Sequence, residues 1–106
     1  MSKTPKLIME DSPIRVPGPY HLRLYVTGAS VNSLRAVNNI QEICEKYLDK
    51  NYSLEIIDVH QQRSLAEKEN IIALPLLIKS SPLPERRIIG DLSDTAKVLK
   101  GLGYLV

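Results

Sequence analysis

The chain has 106 residues, of which 43% are hydrophobic and 25% charged, and its formal net charge is +2. These totals describe one ordinary globular domain, with too little charge to point to nucleic acid and no run near the ~20 apolar residues that cross a bilayer. Neither Trp nor Phe is present, so the core must be built from Leu, Ile, Val and a few Tyr. The single Cys excludes an internal disulfide framework and, with no signal-peptide-like apolar stretch at the start, predicts a cytoplasmic protein.

Residues 1–19 contain Pro5, Pro13, Pro17 and Pro19 among polar residues. Proline removes backbone donors and resists helix and sheet alike, so this stretch reads as a flexible leader to a single domain over 20–106. A strap held through Leu7, Ile8 and Ile14 is the alternative.

From Tyr20 the pattern sharpens. "YHLRLYV" alternates as a strand does, with Tyr20, Leu22, Leu24 and Val26 on one face. Ser30 or Asn32 can cap a helix whose inner stripe would be Leu34, Val37, Ile40, Ile43, Cys44, Tyr47 and Leu48. "SLEIIDV" is apolar enough for a strand in the sheet interior. Ser64-Leu65-Ala66-Glu67 has the form of a capping box opening a second helix, which Pro75 would stop. "LLIK" and "RRIIG" are two short strands about the turn "SSPLPE". Asp91 or Ser93 can cap a last helix with Ala96, Val98, Leu99 and Leu102 apolar, while "GYLV" also suits a strand.

The order is β-α-β-α-β-β-α, an α/β arrangement of thioredoxin type. Strands joined through helices should pair parallel and the last two antiparallel. In "YVTGASVNSLRAV" the positions of a C-x-x-C pair hold Ser30 and Ser33, so the redox chemistry of that scaffold is excluded. A serine there leaves open a small thiol-binding enzyme, which would need Leu74-Pro75 in cis and a second domain. Cys44 falls on the inward stripe and reads as packing. His21 and His60 lack ligand spacing, Asp58, Asp91 and Asp94 read as strand-end and cap residues, and no phosphate-binding glycine motif occurs. The residues therefore imply no metal, no cofactor and no catalytic group.

Residues 20–105 resemble the KaiB family of circadian-clock proteins. The matching pieces are "LRLYVTGASVNSLRAV", "LEIIDV", "LAEKENIIALPLL" and, most distinctively, "PLPERRIIGDLSDTAKVLKGLGYL". The resemblance implies a thioredoxin-like domain without its cysteines and a second, ground-state fold that differs after about Ile71. The ground state would assemble into homotetramers, each a dimer of dimers. The monomeric thioredoxin-like form would bind the ATPase KaiC and recruit further clock components. Family resemblance also allows a SasA-type sensor domain, permanently thioredoxin-like and acting in trans on a histidine kinase. The switch would involve Pro75, Pro82, Pro84, Gly101 and Gly103, because X-Pro isomerisation is slow and glycine admits positive φ.

Partner contact is expected at the second helix and nearby charges: Arg35, Ser64, Glu67, Lys68, Asn70, Arg86 and Arg87. Arg86 and Arg87 also read as a solvated hairpin edge, and one Arg could serve a tetramer interface. Asn70 and Asn38 stand where family members usually carry lysine, and Gly103 where an acidic residue is common. The acidic tail of many clock members is absent as well. These departures point away from strict timekeeping and toward stress adaptation or signalling beside a KaiC-like ATPase.

Overall fold

The computed structural model describes residues 19–71 and 73–104. The leader, Pro19 excepted, lies outside the described residues, as do the last two positions of "GYLV".

Four strands, β1 (Tyr20–Val26), β2 (Tyr52–Asp58), β3 (Leu76–Ser81) and β4 (Arg86–Ile89), form one sheet in the order β2-β1-β3-β4. The helices are α1 (Val31–Ile43), α2 (Arg63–Lys68) and α3 (Thr95–Leu102). This is the expected β-α-β-α-β-β-α order. β1 pairs parallel with β2, and β3 pairs antiparallel with β4. The parallel expectation fails for β3, which runs antiparallel to β1 with a register shift at His21/Leu22. The connection through α2 thus leads to a non-neighbouring position, beyond β1. For the same reason β2 is an edge strand instead of an interior one, and Ile56 is 39% exposed.

Alternation in the strands builds two cores. The larger one joins Tyr20, Leu22, Leu24, Val26 and Leu77 of the sheet to Ala36, Ile40 and Ile43 of α1 and to Val98, Leu99 and Leu102 of α3. The smaller one holds Tyr25, Ile57, Leu76 and Ile78, packed by Leu65 of α2 and by Ile71 and Leu74. Each fully buried Leu or Ile contributes about 1.5–3 kcal/mol of transfer free energy.

Local chemistry sets the helix limits. Ser30 caps α1, its Oγ accepting from the Ser33 N–H. The inner stripe is Ser33, Ala36, Ile40 and Ile43, whereas Leu34 is 53% exposed. Ser33 turns inward because its hydroxyl accepts the Thr27 N–H at 3.1 Å, which swings Leu34 outward. The helix then widens into a π-helical turn, Cys44–Leu48, which keeps Cys44 and Leu48 both buried. Asn39, outside the expected inner stripe, is half-buried and donates to the Asp91 carbonyl at 2.8 Å.

α2 has no capping box. Gln62 is its N-cap without a side-chain bond, and Ser64 lies inside the helix. The Gln61 and Gln62 N–H groups both reach the Asp58 carbonyl, so the turn after β2 starts the helix earlier than the motif implies. Nor does Pro75 stop it. Asn70 takes φ 56°, Asn70 N–H donates to the Glu67 carbonyl and Ile71 N–H to that of Ala66. This is a Schellman ending with asparagine in the left-handed position. α3 is capped by Asp94, not Asp91 or Ser93, and Ala96 is exposed. Asp91 instead accepts the Ser93 N–H in the turn before the helix. Gly103, at φ 79°, closes α3 by the same Schellman pattern, with Tyr104 N–H donating to the Leu99 carbonyl.

Candidate partner-binding surface

The region of a thioredoxin's redox pair is occupied here by capping chemistry. Ser30 and Ser33 are spent on the entry to α1, and Ser33 is buried. Beside them, Thr27 Oγ1 and His60 Nε2 lie 2.9 Å apart, and Asp58 accepts the His60 backbone N–H. These bonds shape the loops at the C-terminal ends of β1 and β2. Cys44 lies apart from them in the core, and burial, then the charge of Glu45, push its thiol up to about 12. Such a thiol stays protonated and inert at neutral pH. No group of three or more His, Cys, Asp or Glu suited to a metal occurs among the described residues.

The expected contact residues divide between the two faces of the sheet. Ser64, Glu67, Lys68 and Asn70 are all exposed on and just after α2. Arg87 joins them from β4. Its Nη1 donates to the Glu69 carbonyl at 2.9 Å, its Nη2 to Glu69 Oε1 at 3.3 Å and its Nε to Glu85 Oε2 at 3.3 Å. Arg87 is therefore no free hairpin charge: its fork ties the end of α2 to the sheet edge, a geometry that lysine could not reproduce. Ile89, on the same face of β4, is 57% exposed, and Leu83 at the hairpin tip is 82% exposed.

Arg86 points to the other face, opposite Lys79 in the β3–β4 register. Arg35 lies on α1, also on that side, near Asp91. The Asp91 carboxyl is held below its usual value first by its bonds with Ser93, with Arg35 a smaller contribution. The structure thus brings five of the seven expected residues together and sets Arg35 and Arg86 apart.

The switch residues separate similarly. Pro75 follows Leu74 before β3, while Pro82 and Pro84 form the β3–β4 turn, and all three peptide bonds are cis. Gly103 has positive φ at the end of α3, whereas Gly101 is helical. A Cβ at Gly101 would come within 2.6 Å of Ile88 Cδ1, so this glycine admits β4 close to α3.

Two residues escaped the sequence reading. Glu69 is Arg87's partner, and no local pattern announces a pair across 18 positions. Lys79 is only 3% exposed and its Nζ donates to the Leu102 carbonyl at 3.2 Å. A signal existed for Lys79: strand alternation puts it on the same face as the buried Leu77.

A family model described as "KaiB domain" matches residues 23–104. The chain is 54% identical over 81 residues to the circadian clock protein KaiB3 of Synechocystis sp., covering 76% of this chain and 79% of the relative. It is 52% identical over 86 residues to the circadian clock oscillator protein KaiB of Prochlorococcus marinus (strain MIT 9312), covering 81% and 82%. Among solved structures, the N-terminal domain of Synechococcus elongatus SasA is similar with a TM-score of 0.66 at 26% identity, over 87% of this chain and 90% of that one. Mitochondrial thioredoxin 3 of Saccharomyces cerevisiae gives 0.66 at 13% identity over 81% and 78%, which speaks to the fold alone.

Proposed function

The chain belongs to the KaiB family, and from that premise we propose that it is a non-enzymatic protein-binding module that binds and modulates a KaiC-like ATPase. The observation that carries this reading is the family match itself, which runs unbroken through residues 23–104 and so includes the half beyond Ile71. The relatives' names place them in circadian clocks; for this chain the setting is clock-type or stress-related signalling in the cytoplasm. Support from the geometry lies in the face built by α2 and Arg87. It presents Ser64, Glu67, Lys68 and Asn70 to solvent on a helix whose end is pinned to the sheet. Arg35 and Arg86 would then contact a second component or another copy of the chain.

In the proposed cycle the free protein rests as a homotetramer whose second half packs differently. The monomeric thioredoxin-like form is the one that docks. Apparent affinity falls by the fraction of chains competent to bind, so a scarce form delays assembly. Pro75, Pro82, Pro84, Gly101 and Gly103 lie within the refolding half.

The test is co-elution and biolayer interferometry with the KaiC-like ATPase encoded nearest to this protein. Binding weakened by Lys68→Ala or Glu67→Ala supports the reading, and absence of complex at micromolar concentrations refutes it. The likeness to the SasA domain favours a second reading, a permanently thioredoxin-like sensor acting on a histidine kinase. Size-exclusion chromatography of the free protein separates the two: a tetramer supports switching, and a monomer at every concentration supports the sensor.

A further inference from the structure

Lys79 is a charged residue in a place built for an apolar one. It alternates with Leu77 on the face of β3 that α3 covers, and only 3% of it is exposed. An ammonium carries three N–H donors, yet the described residues supply one acceptor, the Leu102 carbonyl at 3.2 Å. That carbonyl belongs to the last turn of α3, where the helix dipole favours a cation. The remaining surroundings do not. Across the sheet β1 presents Leu22 in register with Lys79, with Tyr20 buried in the same core, while β4 presents Arg86 directly opposite. Tyr20 has Tyr104, the residue after the α3 cap, as an electrostatic neighbour. None of the ion pairs among the described residues includes Lys79. Position 103, where a Cβ would lie 3.8 Å from Lys79 Nζ, is glycine and offers no countercharge.

We propose that Lys79 is a proton-operated latch on the last helix. With the amine charged, docking α3 onto the sheet buries an underpaired cation; with the proton gone, the neutral amine still donates to Leu102 and the penalty disappears. Burial, and secondarily Arg86, lower the Lys79 affinity for its proton, in keeping with that geometry. The sign follows from linkage. Between the lowered folded value and 10.5 the unfolded chain holds the proton and the folded chain does not, so stability rises with pH there. The latch acts within this chain and requires no partner.

The test is urea unfolding of the full chain and of Lys79→Met, followed by circular dichroism at 222 nm at several pH values from neutral to 10.5. Groups common to both proteins, Cys44 and the tyrosines included, cancel in the ratio of unfolding constants. We expect the wild-type constant to fall steadily relative to that of Lys79→Met as pH rises through the window, with about tenfold per pH unit as the limiting slope. A ratio independent of pH overturns the proposal. Should Lys79→Met fail to fold, NMR titration of the Lys79 ε-methylene in the wild-type protein decides. A midpoint below 10.5 supports the latch, and one at or above it refutes it.

Discussion

Gly101→Ala is the substitution for which sequence and structure give opposite reasons. In isolation, alanine in a helix is better than glycine by up to about 1 kcal/mol. Gly101 is helical, in the last turn of α3, so that preference bears on it up to this amount. Against it stands Ile88, whose Cδ1 would lie 2.6 Å and Cγ1 3.1 Å from the new methyl. Carbon atoms rest about 3.5–4.0 Å apart, so Cδ1 must retreat by roughly an ångström. An off-rotamer χ angle costs on the order of 0.5–1.5 kcal/mol. Ile88 is half-buried against the larger core, which limits its freedom to move. The two effects nearly cancel in the native background. Ile88→Val deletes Cδ1 and leaves only the contact at 3.1 Å, so there Gly101→Ala should recover most of its helical gain. The expected coupling is about 1 kcal/mol, above the ~0.3–0.5 kcal/mol scatter of independent sites. Urea unfolding of wild type, both single variants and the double variant measures it. Additive effects would mean that α3 does not approach β4 as described.

The caps provide a second check. Asp94→Ala and Ser30→Ala should each destabilise by about 0.5–2 kcal/mol in thermal unfolding, whereas Ser64→Ala, which removes no cap, should stay within ~0.5 kcal/mol. Asn70→Lys puts a side chain with no special tolerance for positive φ at the end of α2, and should cost roughly 1 kcal/mol, read from the unfolding midpoint. Cys44 should resist a thiol reagent at pH 8 until urea unfolds the chain. Its thiol stays protonated longer folded than unfolded, between 9.0 and about 12, so stability falls with pH there, and Cys44→Ala should remove that part of the alkaline loss. Arg87→Lys should speed amide exchange at Asn70 and Ile71, since it surrenders the fork onto Glu69; unchanged exchange would show that the fork does not hold the end of α2.

The order of elements and the faces of β1 were legible in the sequence because they rest on period-two alternation and on caps, which neighbouring residues decide among themselves. So was the absence of a C-x-x-C pair, since Ser30 and Ser33 stand at that spacing. The proposed α2 surface rests on family resemblance, since its exposed polar residues would suit any solvated helix. Tertiary structure alone decided the rest. The chain leaving β2 passes β1 before β3 pairs antiparallel with that strand from its far side, and so leaves an apolar β2 at the edge. In the first turns of α1, where Ser33 accepts the Thr27 N–H, Ser33 and Ala36 face the core and Leu34 lies in water. Arg87 found Glu69, and Lys79 was buried under α3. The physical reason is range: a residue's local preferences are encoded beside it, but the partner that satisfies or strands its charge is fixed only when distant segments pack.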